Sequence, residues 1–308
     1  MSPNLHRERI SKTLRGGRAD RIPCGEFFIA DGFVRDFFSL KETGAIEFSH
    51  RRALVEALDL DIASVPLSAG WGALEQPAED RALDLLMRWS ETGDRFVCAL
   101  IDGPFSAAAK ARGFNMLMHY IRGAPHLARE LFRRGAVETR VIAQAVRDAG
   151  GDGVILGEDI AYGRSTYIAP QDLRDLYFPE LGNAVQDIRA LGLAVFFHSD
   201  GNLNDILGDL AASGLDGLQG LEPEAGMAMA TTREKVGPTL CLWGNLGYEF
   251  LSKPRTDEEI RHALEDIFAA AGAPGRFILG SCAGLVEGMN VETVRQIHRT
   301  FGTLRSSG

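Results

Sequence analysis

The feature that most constrains the fold is a regular alternation of short apolar segments with amphipathic helical patterns. Segments such as 154–156 (Val-Ile-Leu) and 195–197 (Val-Phe-Phe) are apolar on both faces, which is typical of strands buried in a parallel sheet. Strands that alternate with helices imply parallel pairing through right-handed crossovers. Eight segments have this character: Ile22–Phe28, Asp61–Leu67, Arg95–Asp102, Gly153–Glu158, Ala194–His198, Gly217–Leu221, Thr239–Gly244 and Phe277–Ser281.

Eight such units predict an α/β fold, a single (β/α)8 TIM barrel that occupies residues 1–308 as one domain. No linker or low-complexity stretch interrupts the alternation. Two helical stretches, Phe105–Arg122 and Pro125–Ala149, predict an extra helical segment between the third and fourth strands. The structural alternative is an open α/β sheet. No GxGxxG turn follows the first strand, which disfavours the dinucleotide-binding version of that alternative.

Composition argues against several classes of protein. The net charge of −9 and the pI of about 5.4, without a basic patch, argue against nucleic-acid binding. No apolar run reaches the roughly 20 residues of a membrane span, and the charged N-terminal region lacks the apolar core of a signal peptide. The four cysteines lie far apart with no CxxC pair, which predicts reduced thiols in a cytoplasmic protein.

Polar side chains lie where the fourth to eighth predicted strands end. In a (β/α)8 barrel the active site lies at the C-terminal ends of the strands, so these groups converge over one mouth. They are Glu158, His198, Asp200, Glu222, Asn245 and Cys282. Imidazole, thiolate and carboxylate groups all bind Zn2+. His198 and Asp200 are two residues apart and point to the same side of a regular strand, so the pattern predicts a metal site.

Each of these residues also has a purely structural interpretation. His198 fits a hydrogen-bonded core histidine, and Cys282 fits a small buried residue, which is the usual fate of a free cysteine. Asp200 with residues 201–202 fits a turn and a helix cap, and Glu222 fits a surface loop. The three tryptophans fit packing in the core or at the rim. The functional interpretation depends on the coincidence that independent strands deliver ligand-capable groups at the same end.

A further set of motifs keeps its order along nearly the whole chain. The motifs are Arg7-Glu8-Arg9, Leu14-Arg15-Gly16, Asp20-Arg21-Ile22-Pro23, Gly157-Glu158-Asp159, Tyr167-Ile168-Ala169-Pro170, Phe178-Pro179, Phe197-His198-Ser199-Asp200-Gly201-Asn202-Leu203, Gly217-Leu218-Gln219-Gly220-Leu221-Glu222-Pro223-Glu224-Ala225-Gly226-Met227, Trp243-Gly244-Asn245 and Ile278-Leu279-Gly280-Ser281-Cys282. This set resembles the uroporphyrinogen decarboxylase superfamily. The resemblance is specific for the set as a whole, whereas any single motif is weak.

The resemblance implies one of two activities. The true decarboxylases act on a porphyrinogen without metal or cofactor, and carry an Arg-rich motif after the first strand, an Asp ending the second and a Gly-His-Gly turn after the last. Here residues 27–35 lack that motif, residues 63–66 lack the Asp, and residues 280–282 read Gly-Ser-Cys. A substrate with many carboxylates also calls for convergent cations, whereas the predicted mouth is acidic. Metal-free decarboxylation is therefore the alternative.

The favoured branch resembles zinc methyltransferases that work with corrinoid proteins, methylated thiols or methyl ethers. The zinc motif of this branch is His-x-Cys followed by a distant Cys. The chain matches at His198 and Cys282 but has Asp200 in place of the first Cys. The resemblance implies zinc ligands at His198 and Cys282, with Asp200 or Glu222 as the third. A carboxylate makes the site harder than a thiolate, which favours a methoxylated compound or a methylated amine as the donor.

On this hypothesis the remaining residues and partners also receive roles. Glu158 is expected to be a supporting carboxylate or a general acid. Catalytic roles are further expected for Asp159, Glu222 and Asn245, and substrate binding for Tyr162, Tyr167 and Trp243. We expect Zn2+ as the metal, a corrinoid carried by a partner protein, a small-molecule methyl donor and a homodimer. The rival hypotheses are a metal-free lyase and a non-catalytic barrel that binds a corrinoid protein.

Overall fold

A parallel sheet forms the centre of the protein. The computed structural model describes residues 5–41, 45–73, 76–271 and 275–305. In these ranges seven parallel strands pair in chain order, and the sheet curls as in a TIM-type barrel. The strands are β1 (Ile62–Pro66), β2 (Phe96–Asp102), β3 (Gly153–Gly157), β4 (Ala194–Ser199), β5 (Gly217–Gly220), β6 (Cys241–Leu246) and β7 (Phe277–Ser281).

The predicted first strand, Ile22–Phe28, is not a regular strand in the structure. Instead it forms isolated backbone hydrogen bonds with β7 and with the residue before β1, the two edges of the sheet. The amide of Gly25 donates to the carbonyl of Leu279 in β7, and the amide of Asp61, just before β1, donates to the carbonyl of Cys24. The segment's proline has no N–H to donate, which limits the length of a ladder here. The other seven predicted strands are confirmed, with shifts of at most two residues at their ends.

Helices cover the outer face of the sheet. The predicted stretch Phe105–Arg122 forms two helices, because Gly113 interrupts it with a φ of 81°, and Pro125–Ala149 forms one. None of the described helices is both long and apolar enough to cross a lipid bilayer. The helices are α1 (Leu5–Leu14), α2 (Asp31–Phe38), α3 (Phe48–Ala57), α4 (Glu79–Thr92), α5 (Pro104–Arg112), α6 (Phe114–Gly123), α7 (Pro125–Asp148), α8 (Pro170–Leu176), α9 (Phe178–Ala190), α10 (Leu207–Ala212), α11 (Met229–Val236), α12 (Tyr248–Leu251), α13 (Asp257–Ala271) and α14 (Val291–Arg305).

Strand alternation decides which side chains face the inside of the curled sheet. In β2, Cys98 belongs to a small inner cluster of buried residues, whereas its neighbours Val97 and Ala99 belong to the larger cluster beneath the helices. The same alternation in β4 puts Phe196 inside, and His198 continues on that side beyond it. Polar residues of inward parity at the carboxyl ends of the strands therefore meet at the open end of the sheet.

Candidate metal centre

His198 is the centre of a cluster of charged groups at the carboxyl end of β4. The side chain is buried, and the ring of Phe27 stacks on the imidazole with centroids 4.1 Å apart. Its Nε2 atom lies 3.5 Å from Oδ1 of Asp159 and 3.8 Å from Oδ1 of Asp200. The ligand atoms of these three residues all lie within 4.8 Å of one another, so one ion can contact all three.

The spacing and chemistry of this group fit a divalent metal. Two ligands that each bind Zn2+ at 2.0–2.2 Å in a tetrahedral site lie about 3.4 Å apart. The separations within the group are close to that value and are longer than ordinary hydrogen bonds. An imidazole with two carboxylates is a hard donor set that suits Zn2+, Mn2+ or Fe2+.

One atom of Asp200 gives independent support for a cation. Although 51% of the side-chain surface is exposed, its Oδ1 atom is buried and has no hydrogen-bond partner among the described residues. Burial raises the pKa of Asp200 to about 6; His198 opposes this shift, and the charges of Asp159 and Glu222 add to it. A metal ion would satisfy the buried oxygen and favour the ionised carboxylate.

Asp159 lies two residues beyond the end of β3 and keeps the inward parity of that strand. Its φ of 41° is in the left-handed region, and its Oδ1 atom lies 3.5 Å from Nε2 of His198. The indole N–H of Trp71 donates to the carbonyl of Asp159 at 3.2 Å. The backbone amide of Asp200 lies 3.3 Å from Oδ1 of Asp159 and donates to it, which ties the Asp159 carboxylate to the backbone that follows β4.

Glu222 lies close to this group but serves the turn after β4. Its Oε2 atom accepts a hydrogen bond of 2.8 Å from the amide of Gly201. Gly201 has a φ of +85°, and a Cβ there would lie 2.6 Å from the backbone nitrogen of Tyr162. Only glycine fits this approach without strain, so Glu222 and Tyr162 together fix the residue that follows Asp200.

Cys282 is buried beside the mouth and is not part of the three-residue group. Its amide donates to the carbonyl of Leu246. Burial raises the pKa of the Cys282 thiol well above its usual value, and the carboxylates of Glu222, Glu224 and Asp200 raise it further. A thiol in these surroundings stays protonated unless a cation binds next to it. Its role as a zinc ligand stays a prediction.

Glu158 lies on the opposite face of β3 from the metal group. The carboxylate accepts hydrogen bonds from the hydroxyl of Tyr177 at 2.6 Å and from the first amides of α5, those of Phe105 and Ser106. Burial raises the pKa of Glu158 to about 8, although these hydrogen bonds oppose the shift. These contacts make Glu158 an anchor for α5, and they do not bring it to the cluster.

Replacing Glu158 with Gln is expected to flatten the pH dependence of stability. The folded carboxyl keeps its proton up to about pH 8, whereas the unfolded one ionises near its ordinary pKa of 4.5. Between these values the folded state binds more protons, so this group lowers stability by up to about 1.4 kcal/mol per pH unit as pH rises. The free energy of unfolding, measured with urea at each pH from 5 to 9, should decrease less with rising pH for Glu158→Gln than for the wild type.

The control for this experiment is Glu265→Gln on the exposed face of α13. Its unfolding free energy should follow the wild type at every pH. The assignment of a protonated Glu158 fails if the unfolding free energies of Glu158→Gln and the wild type change equally with pH between pH 5 and pH 8.

Two further predicted site residues stabilise the framework. The side-chain amide of Asn245 donates to the carbonyl of Leu221 at 2.8 Å and so holds the segment after β5. Trp243, predicted to bind substrate, is instead fully buried inside the sheet, where it packs edge-on against Phe196 and donates to the carbonyl of Gly25. Trp243 therefore belongs to the packing inside the sheet, and its role in substrate binding stays a prediction.

The predicted substrate-binding tyrosines do lie at the mouth. Tyr162 and Tyr167 stack with centroids 5.5 Å apart, and the two residues are 45% and 41% exposed. Tyr167 also packs edge-on against Phe114, which stacks on Trp71. The pKa of Tyr167 is raised by burial and by the charges of Asp159, Asp200 and Tyr162. An aromatic surface therefore borders the metal group.

Sequence reasoning missed Gln219 and Phe27, which both touch the imidazole of His198. Oε1 of Gln219 lies 2.5 Å from Nδ1 of His198, and the glutamine is fully buried. The available signal was a polar residue of inward parity in the otherwise apolar strand β5. The contact of Phe27 had no such signal, because an aromatic residue within the predicted first strand fits ordinary core packing equally well.

Comparisons with known proteins agree with this fold. A methyltransferase from Methanosarcina mazei has a TM-score of 0.81 at 16% identity, over 98% of this chain and 99% of that chain. An L-ribulose 3-epimerase (TM-score 0.54, 12% identity, 92% and 94% coverage) and a 3-keto-D-glucoside 4-epimerase from E. coli (0.50, 12%, 92% and 98%) are more distant. At such low identities these likenesses concern the fold alone. A comparison with curated protein sequences gave no significant match.

A family model also matches the sequence directly. The model of the uroporphyrinogen decarboxylase family matches residues 82–303. This range runs from α4 into α14 and includes Asp159, His198 and Asp200. Because the matched residues make up well over half of the chain, the protein belongs to the uroporphyrinogen decarboxylase family.

Proposed function

We propose that the protein is a metal-dependent methyltransferase. It would move a methyl group from a small methylated substrate, a methoxy, amine or thiol compound, to a corrinoid protein or a thiol acceptor. The observation that carries the proposal is the group of Asp159, His198 and Asp200, with ligand atoms within 4.8 Å of one another. These residues would hold Zn2+, which when bound would act as a Lewis acid on the donor heteroatom.

The remaining residues of the mouth would bind and orient the donor. The exposed faces of Tyr162 and Tyr167 offer apolar surface to a methylated carbon beside the carboxylates. Glu222 holds the turn that carries Asp200, so it supports the metal group through Gly201. In the transfer the bond from the methyl carbon to the heteroatom breaks, and a bond to the acceptor nucleophile forms. The heteroatom keeps the electron pair.

The same proposal covers the organisation of the chain. Residues 1–308 would act as one domain, a closed (β/α)8 ring in which the irregular segment near Cys24 takes the eighth strand position between β7 and β1. A corrinoid protein would approach the open end of the sheet, where the carboxyl ends of the strands lie. A homodimer is the expected assembly.

A chelation experiment tests the proposed function. The purified protein is stripped of metal, reloaded with Zn2+, and mixed with cob(I)alamin and one of three donors: a methoxylated aromatic compound, a methylated amine or a methylated thiol. Formation of methylcobalamin is followed by its absorbance. We expect methyl transfer from at least one donor, loss of that activity on chelation, and its return with Zn2+.

The family alternative, a metal-free carboxy-lyase, predicts a different result in parallel assays. Decarboxylation of a porphyrinogen would persist in the chelated protein, and none of the donors would methylate cobalamin. The charges that act on the thiol of Cys282 beside the mouth are all carboxylates, which disfavours a substrate that itself carries many carboxylates. Chelator-resistant decarboxylation would overturn the methyltransferase proposal.

A further inference from the structure

Gln219 joins three strands at the base of the metal group. It is fully buried in β5, and its Oε1 atom lies 2.5 Å from Nδ1 of His198 in β4. Its Nε2 atom lies 2.9 Å from the carbonyl oxygen of Ser281 in β7 and 3.4 Å from that of Cys282. Both the oxygen and the nitrogen of this side-chain amide therefore form hydrogen bonds inside the curled sheet.

These partners settle the orientation of the amide. Backbone carbonyl oxygens only accept hydrogen bonds, so the end of Gln219 that faces Ser281 and Cys282 is the NH2 group. The end that faces His198 is then the carbonyl oxygen, which also only accepts. Nδ1 of His198 must supply the proton of this hydrogen bond, because an unprotonated Nδ1 would put two lone pairs against each other.

The protonation of Nδ1 decides what the other ring nitrogen can do. In a neutral imidazole only one nitrogen carries a proton, so Nε2 keeps its lone pair and can bind a metal. Nε2 is also the atom that lies near the carboxylates, at 3.5 Å from Asp159 and 3.8 Å from Asp200. These separations are too long for hydrogen bonds from an Nε2–H group, whose usual length is near 2.9 Å.

We infer that Gln219 is a positioning residue that selects the metal-binding tautomer of His198. This inference rests on the metal site of the proposed function. Gln219 would act through the imidazole and would contact neither the methyl donor nor the metal. Phe27 complements it: the ring stack at 4.1 Å and an interplanar angle of 26° sets the plane of the imidazole, while Gln219 sets which nitrogen faces the carboxylates. Together they leave His198 one orientation and one tautomer.

The primary test is Gln219→Met, which keeps the length of the side chain but removes the strong acceptor. We expect zinc affinity, measured by competition with a chromophoric chelator, to fall by about 10- to 100-fold, as is usual when the partner of a ligating histidine is lost. Gln219→Glu keeps an oxygen that accepts from Nδ1, and the O–H of its protonated carboxyl replaces the NH2 donor to the carbonyl of Ser281, so this variant should keep more zinc affinity than Gln219→Met. Unchanged affinity in Gln219→Met would overturn the inference.

A matched control separates positioning from simple loss of packing. Ser281→Ala removes the hydroxyl that donates to the buried carboxylate of Glu26, yet leaves the carbonyl that accepts from Gln219. It should destabilise the same region of β7 without weakening zinc binding. If Ser281→Ala loses as much zinc affinity as Gln219→Met, the effect is general destabilisation and the positioning role is overturned.

A metal-free readout keeps this inference distinct from the proposed function. The 15N shifts of the His198 ring nitrogens, assigned by comparison with His198→Ala, identify the tautomer of the neutral imidazole. The wild type should carry its proton on Nδ1, and Gln219→Met should populate both tautomers. Failure of the wild type to bind any metal would refute the proposed metal site, whereas an Nε2–H tautomer in the wild type would refute the role of Gln219.

Discussion

Alanine in place of His198 is expected to abolish metal binding. His198 supplies the only nitrogen ligand of the three-residue group and lies within 4 Å of both carboxylates. Loss of a group that merely supports a ligand weakens metal affinity by about 10- to 100-fold, so loss of the ligand itself should cost more than about 100-fold. Metal analysis of protein reloaded with Zn2+ and desalted should give one equivalent for the wild type and a background level for His198→Ala.

Two further variants distinguish the rival ligand sets. Asp159→Asn should empty the site if Asp159, His198 and Asp200 bind the metal, and Cys282→Ser should then keep it. The reverse result would support the set of His198, Asp200 and Cys282 that the sequence predicts. His126→Ala, on the exposed surface of α7, is the control for loss of a histidine and should bind like the wild type. Full occupancy in His198→Ala would refute both sets.

We expect Trp243→Ala to lower the free energy of unfolding more than any of the other substitutions. The indole is fully buried, packs against Phe196 and donates to the carbonyl of Gly25, which belongs to the segment that joins both edges of the sheet. Replacing a buried tryptophan with alanine typically costs about 3–5 kcal/mol, because apolar contacts are lost and a cavity remains. The carbonyl of Gly25 would also lose its hydrogen bond from the indole, which lowers the free energy of unfolding further. Urea unfolding monitored by far-UV circular dichroism measures the change.

The matched control is Trp71→Ala at the mouth. Trp71 is only partly buried, so its loss should cost less stability than the loss of Trp243. It should nevertheless weaken metal binding, because its indole holds the carbonyl of Asp159. The core assignment of Trp243 is contradicted if Trp243→Ala changes stability by less than about 1 kcal/mol and mainly reduces substrate affinity, as the sequence-based prediction of a substrate-binding role would require.

Local patterns were sufficient to predict the parallel sheet and part of the site. The β4 motif predicted that His198 and Asp200 lie together, because residues two apart on a strand share a side. Asp159 was expected at the mouth, but as a catalytic residue rather than a ligand. Its backbone is in the left-handed region, and no residue pattern predicts that conformation for an aspartate after a strand.

The roles of Glu158 and Gln219 needed the packed molecule. Glu158 differs from Asp159 by one position, yet strand parity sends it to the N-terminus of α5, where Tyr177 completes its hydrogen bonds. Gln219 lies 21 residues from His198 in the chain, and their contact depends on the register of β4 against β5. A single sequence contains no measure of that register.

The sequence by itself determined the order of strands and helices, the buried parallel sheet and the end at which polar groups gather. These properties follow from local periodicity and from the handedness of the connections, which act over short stretches of chain. Only the tertiary structure decided which of the gathered groups touch. Asp159 lies beside His198, Gln219 contacts Nδ1 of its ring, Trp243 is buried inside the sheet, and Glu158 binds Tyr177. Such contacts depend on the curl and register of the whole sheet and on single backbone angles, which are set by packing between segments distant in the chain.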